Sequence, residues 1–161
     1  MSEDVPEPVE WIPDDDWATI VRNVPIVSVD LVVLTDDGVV LAKRTNQPAK
    51  GEWFVPGGRV RKGERLEDAV HRVAEEELGI EVEIVESLGA YEHLYRESDV
   101  DASGGKHYLA NGFVVRSVAD SFTLDGQHGD VRTVEDLEDI HPYVKAYLSD
   151  TNLVTPGIPS E

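Results

Sequence analysis

Apolar and polar positions along this chain repeat first at the spacing of strands, then of a helix, then of strands again. Pro25 to Leu34 (PIVSVDLVVL) is β-branched and strongly apolar and predicts a strand. Asp36-Asp37-Gly38 has the chemistry of a hairpin turn and leads to a second strand, Val39 to Lys43. Asn46 to Glu52 holds Pro and Gly and predicts a loop. Trp53-Phe54-Val55 then predicts a short strand that stops at Pro56-Gly57-Gly58. From Arg65 to Leu78 the period changes. Leu66, Ala69, Val70, Val73, Ala74 and Leu78 recur at helical spacing, with Glu67, Asp68, Arg72, Glu75 and Glu76 elsewhere around the helix. Gly79 follows where a C-cap glycine belongs. Strand regions are expected at Glu81 to Tyr95 and at His107 to Val115, with a polar, Gly-rich loop from Glu97 to Gly105 between them.

The ends are weaker in pattern. Asp14 or Asp15 is expected to cap a short helix through about Arg22, with Trp17, Ile20 and Val21 as its apolar side. A loop over about 120–130 is expected to precede a second helix from Val134 or Glu135 to Leu148, with Leu137, Ile140, Val144 and Leu148 inward. Residues 1–13 and 151–161 read as irregular tails. Strands before and after one strong helix, closed by a C-terminal helix, predict an α/β (α+β) fold with a mixed sheet between helices. At 161 residues the chain is expected to form one domain, 1–161.

Composition sharpens this. There is no cysteine, which excludes a disulfide framework and a thiolate metal site. The first residues are acidic and lack the basic-then-apolar layout of a signal peptide, and no apolar run approaches a membrane span, so a cytoplasmic protein with no membrane partner is expected. Asp plus Glu number 33 against 14 Lys plus Arg, a formal net charge of −19. Such a surface repels a polyanion, so no nucleic-acid partner is expected. The acidic excess serves solubility, or adapts the chain to a high-salt interior where counterions screen self-repulsion; the low Lys count favours the second. Eight of the fourteen cations fall between Lys43 and Arg72. A charge run is ordinarily a solvated face, but in so acidic a chain a local positive cluster points to a small anionic ligand, with phosphate the obvious candidate.

The segment that carries chemistry is Gly58-Arg59-Val60-Arg61-Lys62-Gly63-Glu64 followed by Arg72-Val73-Ala74-Glu75-Glu76-Glu77-Leu78-Gly79-Ile80. It is a glycine-rich loop running into a helix that ends in three consecutive carboxylates. Gly57 and Gly58 let the backbone approach a ligand, and carbonyl plus carboxylate oxygens suit Mg²⁺. Three Glu in a row are by themselves most often solvated. Arg72 and Glu76, four apart, are placed to pair along one face.

The spacing resembles the Nudix box. Gly58, Glu64, Arg72, Ala74, Glu76, Glu77, Gly79 and Ile80 fall on its pattern in register, and Val73 stands where the family has a Glu after the Arg. The resemblance implies the Nudix α/β/α sandwich. Position 73 lies one helical turn before Glu77, so Val73 removes an anionic ligand or a base, which favours one Mg²⁺ over a multi-metal cluster. The run from Lys43 through Val60, with His107-Tyr108, Gly112-Phe113 and Gln127-His128, is similar to the GDP-mannose mannosyl hydrolase branch, over roughly residues 17 to 148. That branch also lacks the Glu, and it cuts the sugar from GDP by attack of water at the anomeric carbon, with inversion.

Carried over residue by residue, the resemblance implies that the Gly57 carbonyl, Glu77 and Gln127 hold Mg²⁺ (Mn²⁺ as a substitute), with Glu76 as an alternative ligand. Arg44 and Arg59 neutralise the diphosphate leaving group, assisted by Arg72 and Tyr108, and His128 is the general base. Asp30 and His93 match residues that contact nucleotide or sugar, and Glu64 is expected to orient the loop by pairing with Arg72. The partner expected is a nucleoside diphosphate sugar, and the resemblance implies a homodimer. Two other readings stay open: a Nudix diphosphatase cutting the P–O–P bond of ADP-ribose or a nucleotide sugar with Glu76 and Glu77 on two or more metals, and a non-catalytic nucleotide-binding Nudix module.

Overall fold

A computed structural model describes residues 11–36, 38–44, 50–100, 104–119, 131–134 (backbone only) and 140–151. In chain order its elements are α1 (Asp14–Asn23), β1 (Ile26–Thr35), β2 (Gly38–Lys43), β3 (Trp53–Phe54), β4 (Gly57–Arg59), α2 (Leu66–Leu78), β5 (Val82–Tyr95), β6 (Lys106–Ser117), β7 (Val131–Val134) and α3 (Pro142–Asp150). The strands form one seven-stranded mixed sheet in the order β3-β2-β1-β6-β5, with β4 pairing β1 and β7 pairing β2. The β1–β6 pair is parallel and the others are antiparallel.

The alternation along β1 decides the layering. Val29, Leu31 and Val33 pack with Ala69, Val70, Val73, Ala74 and Leu78 of α2. Val32 and Leu34 pack instead with Val144, Tyr147 and Leu148 of α3. Successive side chains of a strand face opposite ways, so the two helices cover opposite faces of the sheet. This is the expected sandwich of a mixed sheet between helices. Val73 is 2% exposed in the layer beneath α2. A Cβ added to Gly58 would sit 3.1 Å from its Cγ2. The residue that departs from the motif is thus a packing residue under the glycine that begins it.

Several expectations need correction. Neither Asp14 nor Asp15 caps α1: Pro13 holds the N-cap position, with no side-chain cap bond, and its carbonyl accepts from the Trp17 amide at 2.9 Å. Gly57–Arg59 is a strand rather than loop, paired antiparallel with Ser28–Asp30. Leu66, counted on the inner face of α2, is 38% exposed. The C-terminal helix begins at Pro142, not at Val134 or Glu135, and Val131–Val134 is a strand on β2. His141 caps this helix, its Nδ1 accepting from the Tyr143 amide at 3.1 Å, and Pro142 in the first turn has a missing N–H that the helix does not need. Leu137, like the whole of the loop placed at 120–130, lies outside the described residues. Gly79 ends α2 in the left-handed conformation, as expected.

Candidate functional site

On the α3 face of the sheet, at the end where β1 and β6 begin, the register sets polar and aromatic side chains side by side. Ser28 and Asp30 come from β1, Tyr108 from β6, and His93 and Tyr95 from β5. They line a cleft of about 350 Å³, which α1 closes with Trp17 and the β2 and β4 ends close with Arg44 and Arg59. A smaller cleft of about 230 Å³ shares Arg44 and Gly57 with the first and adds Lys43 and Glu77. Of the residues expected at the site, Asp30, Arg44, Arg59, His93, Tyr108 and Gly57 therefore meet in one cleft, and Glu77 joins Gly57 in the other. Gln127 and His128 lie outside the described residues.

Asp30 is the most constrained of these groups. It is 8% exposed, and Oδ2 accepts from the hydroxyl of the fully buried Tyr147 at 2.6 Å. His93 Nδ1 stands 3.9 Å from the same oxygen. Burial pushes the Asp30 carboxyl up to about 6, against the Tyr147 hydrogen bond and the charge of Arg44, which both lower it. Burial, helped by the charge of His141, draws His93 down to about 4, so the imidazole is neutral at pH 7. His93 stacks flat on Tyr143 with ring centroids 4.1 Å apart, and its buried Nε2 has no hydrogen-bond partner among the described residues.

The raised Asp30 pKa fixes the sign of a stability prediction. Between about pH 4 and pH 6 the folded protein holds a proton that the unfolded chain releases, so this group's contribution falls as pH rises through that window. Above it the ionised buried carboxylate costs about 3 kcal/mol relative to an unperturbed one. Asp30→Asn is neutral at every pH and keeps an acceptor for Tyr147. Thermal melts are expected to show this variant more stable than wild type at pH 8, with the difference vanishing towards pH 4. An unchanged melting temperature at pH 8 would contradict the burial argument.

Close approach explains Gly57. A Cβ there would overlap Asp30 Oδ1 and lie 2.8 Å from the Val29 carbonyl oxygen. Gly57→Ala is therefore expected to cost about 2 kcal/mol by overpacking and to lower turnover by displacing Asp30. Gly58→Ala meets only the Val73 methyl and should cost less. Melts and kcat/KM for the pair check the order, and equal effects would contradict it.

Arg72 lines neither of these clefts. Its Nε donates to Glu64 Oε2 at 2.7 Å, and its Nη2 donates to Glu64 Oε1 and to the Arg59 carbonyl, each at 2.8 Å. Nη1 reaches Glu76 Oε2 at 3.2 Å. Glu64 Oε1 also accepts from the Arg61 amide at 3.1 Å. These bonds hold the Glu64 carboxyl below the usual carboxylate range. Arg72 thus joins the loop before α2 to the backbone of Arg59. The expected Glu64–Arg72 and Arg72–Glu76 pairs are both present. Glu76 is also engaged by Arg61 at 3.3 Å and lines neither of the two clefts.

A metal is tested by its donors. Among the described residues no group of three or more His, Asp or Glu is placed to hold an ion. Gly57 and Glu77 in the smaller cleft supply a carbonyl and a carboxylate, hard oxygens that fit Mg²⁺, which keeps several waters and takes few protein ligands.

Sequence reasoning missed Tyr147, Tyr95 and Phe54 as parts of the site and read Trp17 only as helix packing. Tyr147 meets Asp30 across 117 positions of sequence, a juxtaposition no local pattern announces.

Known proteins share this architecture. The NUDIX domain family model matches residues 24–152. The low-salt glycan biosynthesis protein Agl8 of Haloferax volcanii is 52% identical over 143 residues, covering 88% of this chain and 92% of that protein. The ADP-ribose pyrophosphatase of Methanocaldococcus jannaschii is 42% identical over 67 residues, 42% of this chain and 40% of that one. The crystal structure of a MutT NUDIX hydrolase from Burkholderia pseudomallei superposes with a TM-score of 0.63 at 26% identity, over 80% of this chain and 98% of that one. With the box in register and the sheet between its helices, this chain belongs to the Nudix hydrolase family.

Proposed function

We propose that this protein hydrolyses a nucleoside diphosphate sugar, GDP-mannose or a close relative, to the nucleoside diphosphate and free sugar. The supporting observation is the composition of the main cleft. Arg44 and Arg59 supply cations for a diphosphate, while buried Asp30 and His93 beside them supply polar groups for sugar hydroxyls. Val73, buried in the core at the position where the Nudix box has a Glu, fits attack at carbon with one metal better than attack at phosphorus with several. The long match to a protein named for glycan biosynthesis agrees with a sugar substrate.

In this mechanism Arg44 and Arg59 stabilise the negative charge that develops as the bond from the anomeric carbon to the diphosphate oxygen breaks. Tyr108 lines the same cleft, and Arg72 holds the Arg59 backbone in place. His128 takes the proton of the attacking water, whose oxygen forms the new bond to the anomeric carbon with inversion. Gly57, Glu77 and Gln127 would hold Mg²⁺, which would supply charge neutralisation at the diphosphate. Incubating GDP-mannose with enzyme and Mg²⁺ should yield GDP and mannose; GMP and mannose 1-phosphate would sink this reading. The ADP-ribose pyrophosphatase match keeps P–O–P cleavage as the second reading, although it spans less than half of this chain.

A further inference from the structure

One wall of the main cleft is built unlike the rest. The Lys106 side chain is 4% exposed, and its ammonium bonds Asp99 Oδ1 at 2.6 Å. The same nitrogen lies 5.0 Å from the centre of the Trp17 ring and 5.1 Å from that of Tyr108. Trp17 Nε1 in turn donates to Asp99 Oδ2 at 3.2 Å, joining α1 to a residue 82 positions away. Gly105, at φ 74°, lets the chain turn into β6 where a Cβ would collide with the Tyr95 carbonyl. A buried cation is costly unless paired, and here one carboxylate and two ring faces compensate it. The assembly fixes two aromatic rings, and both line the cleft.

A nucleotide sugar has three chemically distinct parts. Its diphosphate calls for cations, which Arg44 and Arg59 supply. Its sugar hydroxyls call for polar partners, available in Asp30, His93 and Ser28. What remains is a flat π-system, and the remaining wall is aromatic. We infer that the Trp17 indole, held by Asp99 and Lys106 and flanked by Tyr108, is the stacking platform for the nucleobase. This inference rests on the nucleotide reading proposed above. Since every base has a π-face, the platform supplies affinity more than choice between bases. Clamping the ring before the ligand arrives reduces the ordering cost of binding.

The test is calorimetric titration of GDP and of ribose 5-diphosphate, which carries the same diphosphate and ribose without the base. Trp17→Ala is expected to weaken GDP binding about tenfold to a hundredfold and to leave ribose 5-diphosphate within about twofold. Trp17→Phe, which keeps a ring, should restore most of the loss. Trp17→Leu, which keeps apolar bulk against Lys106, should behave as Trp17→Ala and decides the matter if the alanine variant does not fold. Equal weakening of both ligands would make Trp17 a wall residue only, and unchanged GDP affinity would place the base elsewhere; either overturns the inference. A wild-type protein that binds the two ligands equally would remove the nucleotide reading itself, a separate failure.

Discussion

Replacing Arg72 by alanine is expected to lower kcat/KM about a hundredfold and to cost about 3 kcal/mol of stability, although this side chain lines neither described cleft. The stability term comes from Glu64, whose side chain is 8% exposed and would lose both of its Arg72 bonds. Removing one partner of a largely buried pair leaves an uncompensated charge, which is worse than losing both. At about 2–4 °C per kcal/mol for a chain of this size, the melting temperature should fall by roughly 10 °C. The activity term comes from the Arg59 carbonyl, which Arg72 holds at 2.8 Å. Freed of that bond, the guanidinium expected on the diphosphate is misplaced, and a displacement of about 1 Å is worth that much in rate. Arg72→Lys should not rescue, because one ammonium cannot replace a fork serving Glu64, Glu76 and a carbonyl together. Melting curves and steady-state kinetics on both variants check this; a wild-type kcat/KM in Arg72→Ala would contradict the positioning role.

His128→Gln is expected to lower kcat by about two to four orders of magnitude while leaving KM nearly unchanged, the usual span for loss of a general base. An imidazole is suited to the task because its ordinary pKa lies near neutrality. The cleft contains a rival, Asp30, with a pKa of about 6. The two variants separate them. Near-wild-type turnover in His128→Gln together with collapse in Asp30→Asn would move the proton acceptor to Asp30. Collapse in His128→Gln with a smaller loss in Asp30→Asn is the expected pattern, with Asp30 binding the sugar.

The buried strands and the amphipathic helix were legible in the sequence because one physical signal dominates each. Ile26–Thr35 and Leu66–Leu78 show continuous apolar and 3.6-residue patterns, and their observed bounds differ from the expected ones by one residue at most ends. Gly57–Arg59 was not legible as a strand, since glycine disfavours strands and only the neighbouring Ser28–Asp30 backbone makes it one. Val131–Val134 was not read as a strand: residues 131–133 fall between the expected loop and the expected helix, and Val134 offered itself as a helix start because Glu135-Asp136-Leu137 continues a plausible helical pattern. The true helix start was signalled by His141-Pro142, a capping residue before a first-turn proline. In the site, the i,i+4 spacing anticipated the Arg72–Glu76 pair, and the family resemblance anticipated the Glu64–Arg72 pair. The fold then showed that Arg72 serves the loop and the Arg59 backbone. Tyr147 on Asp30 and Lys106 between Trp17 and Tyr108 depend on strand register and helix packing, which no short window of sequence encodes.

Hydrolysis of GDP-mannose in water labelled with heavy oxygen tests the central claim most directly. Attack at the anomeric carbon puts the label in mannose and leaves GDP unlabelled, which is the predicted result. Label in GMP or in mannose 1-phosphate would mean attack at phosphorus and would contradict the account.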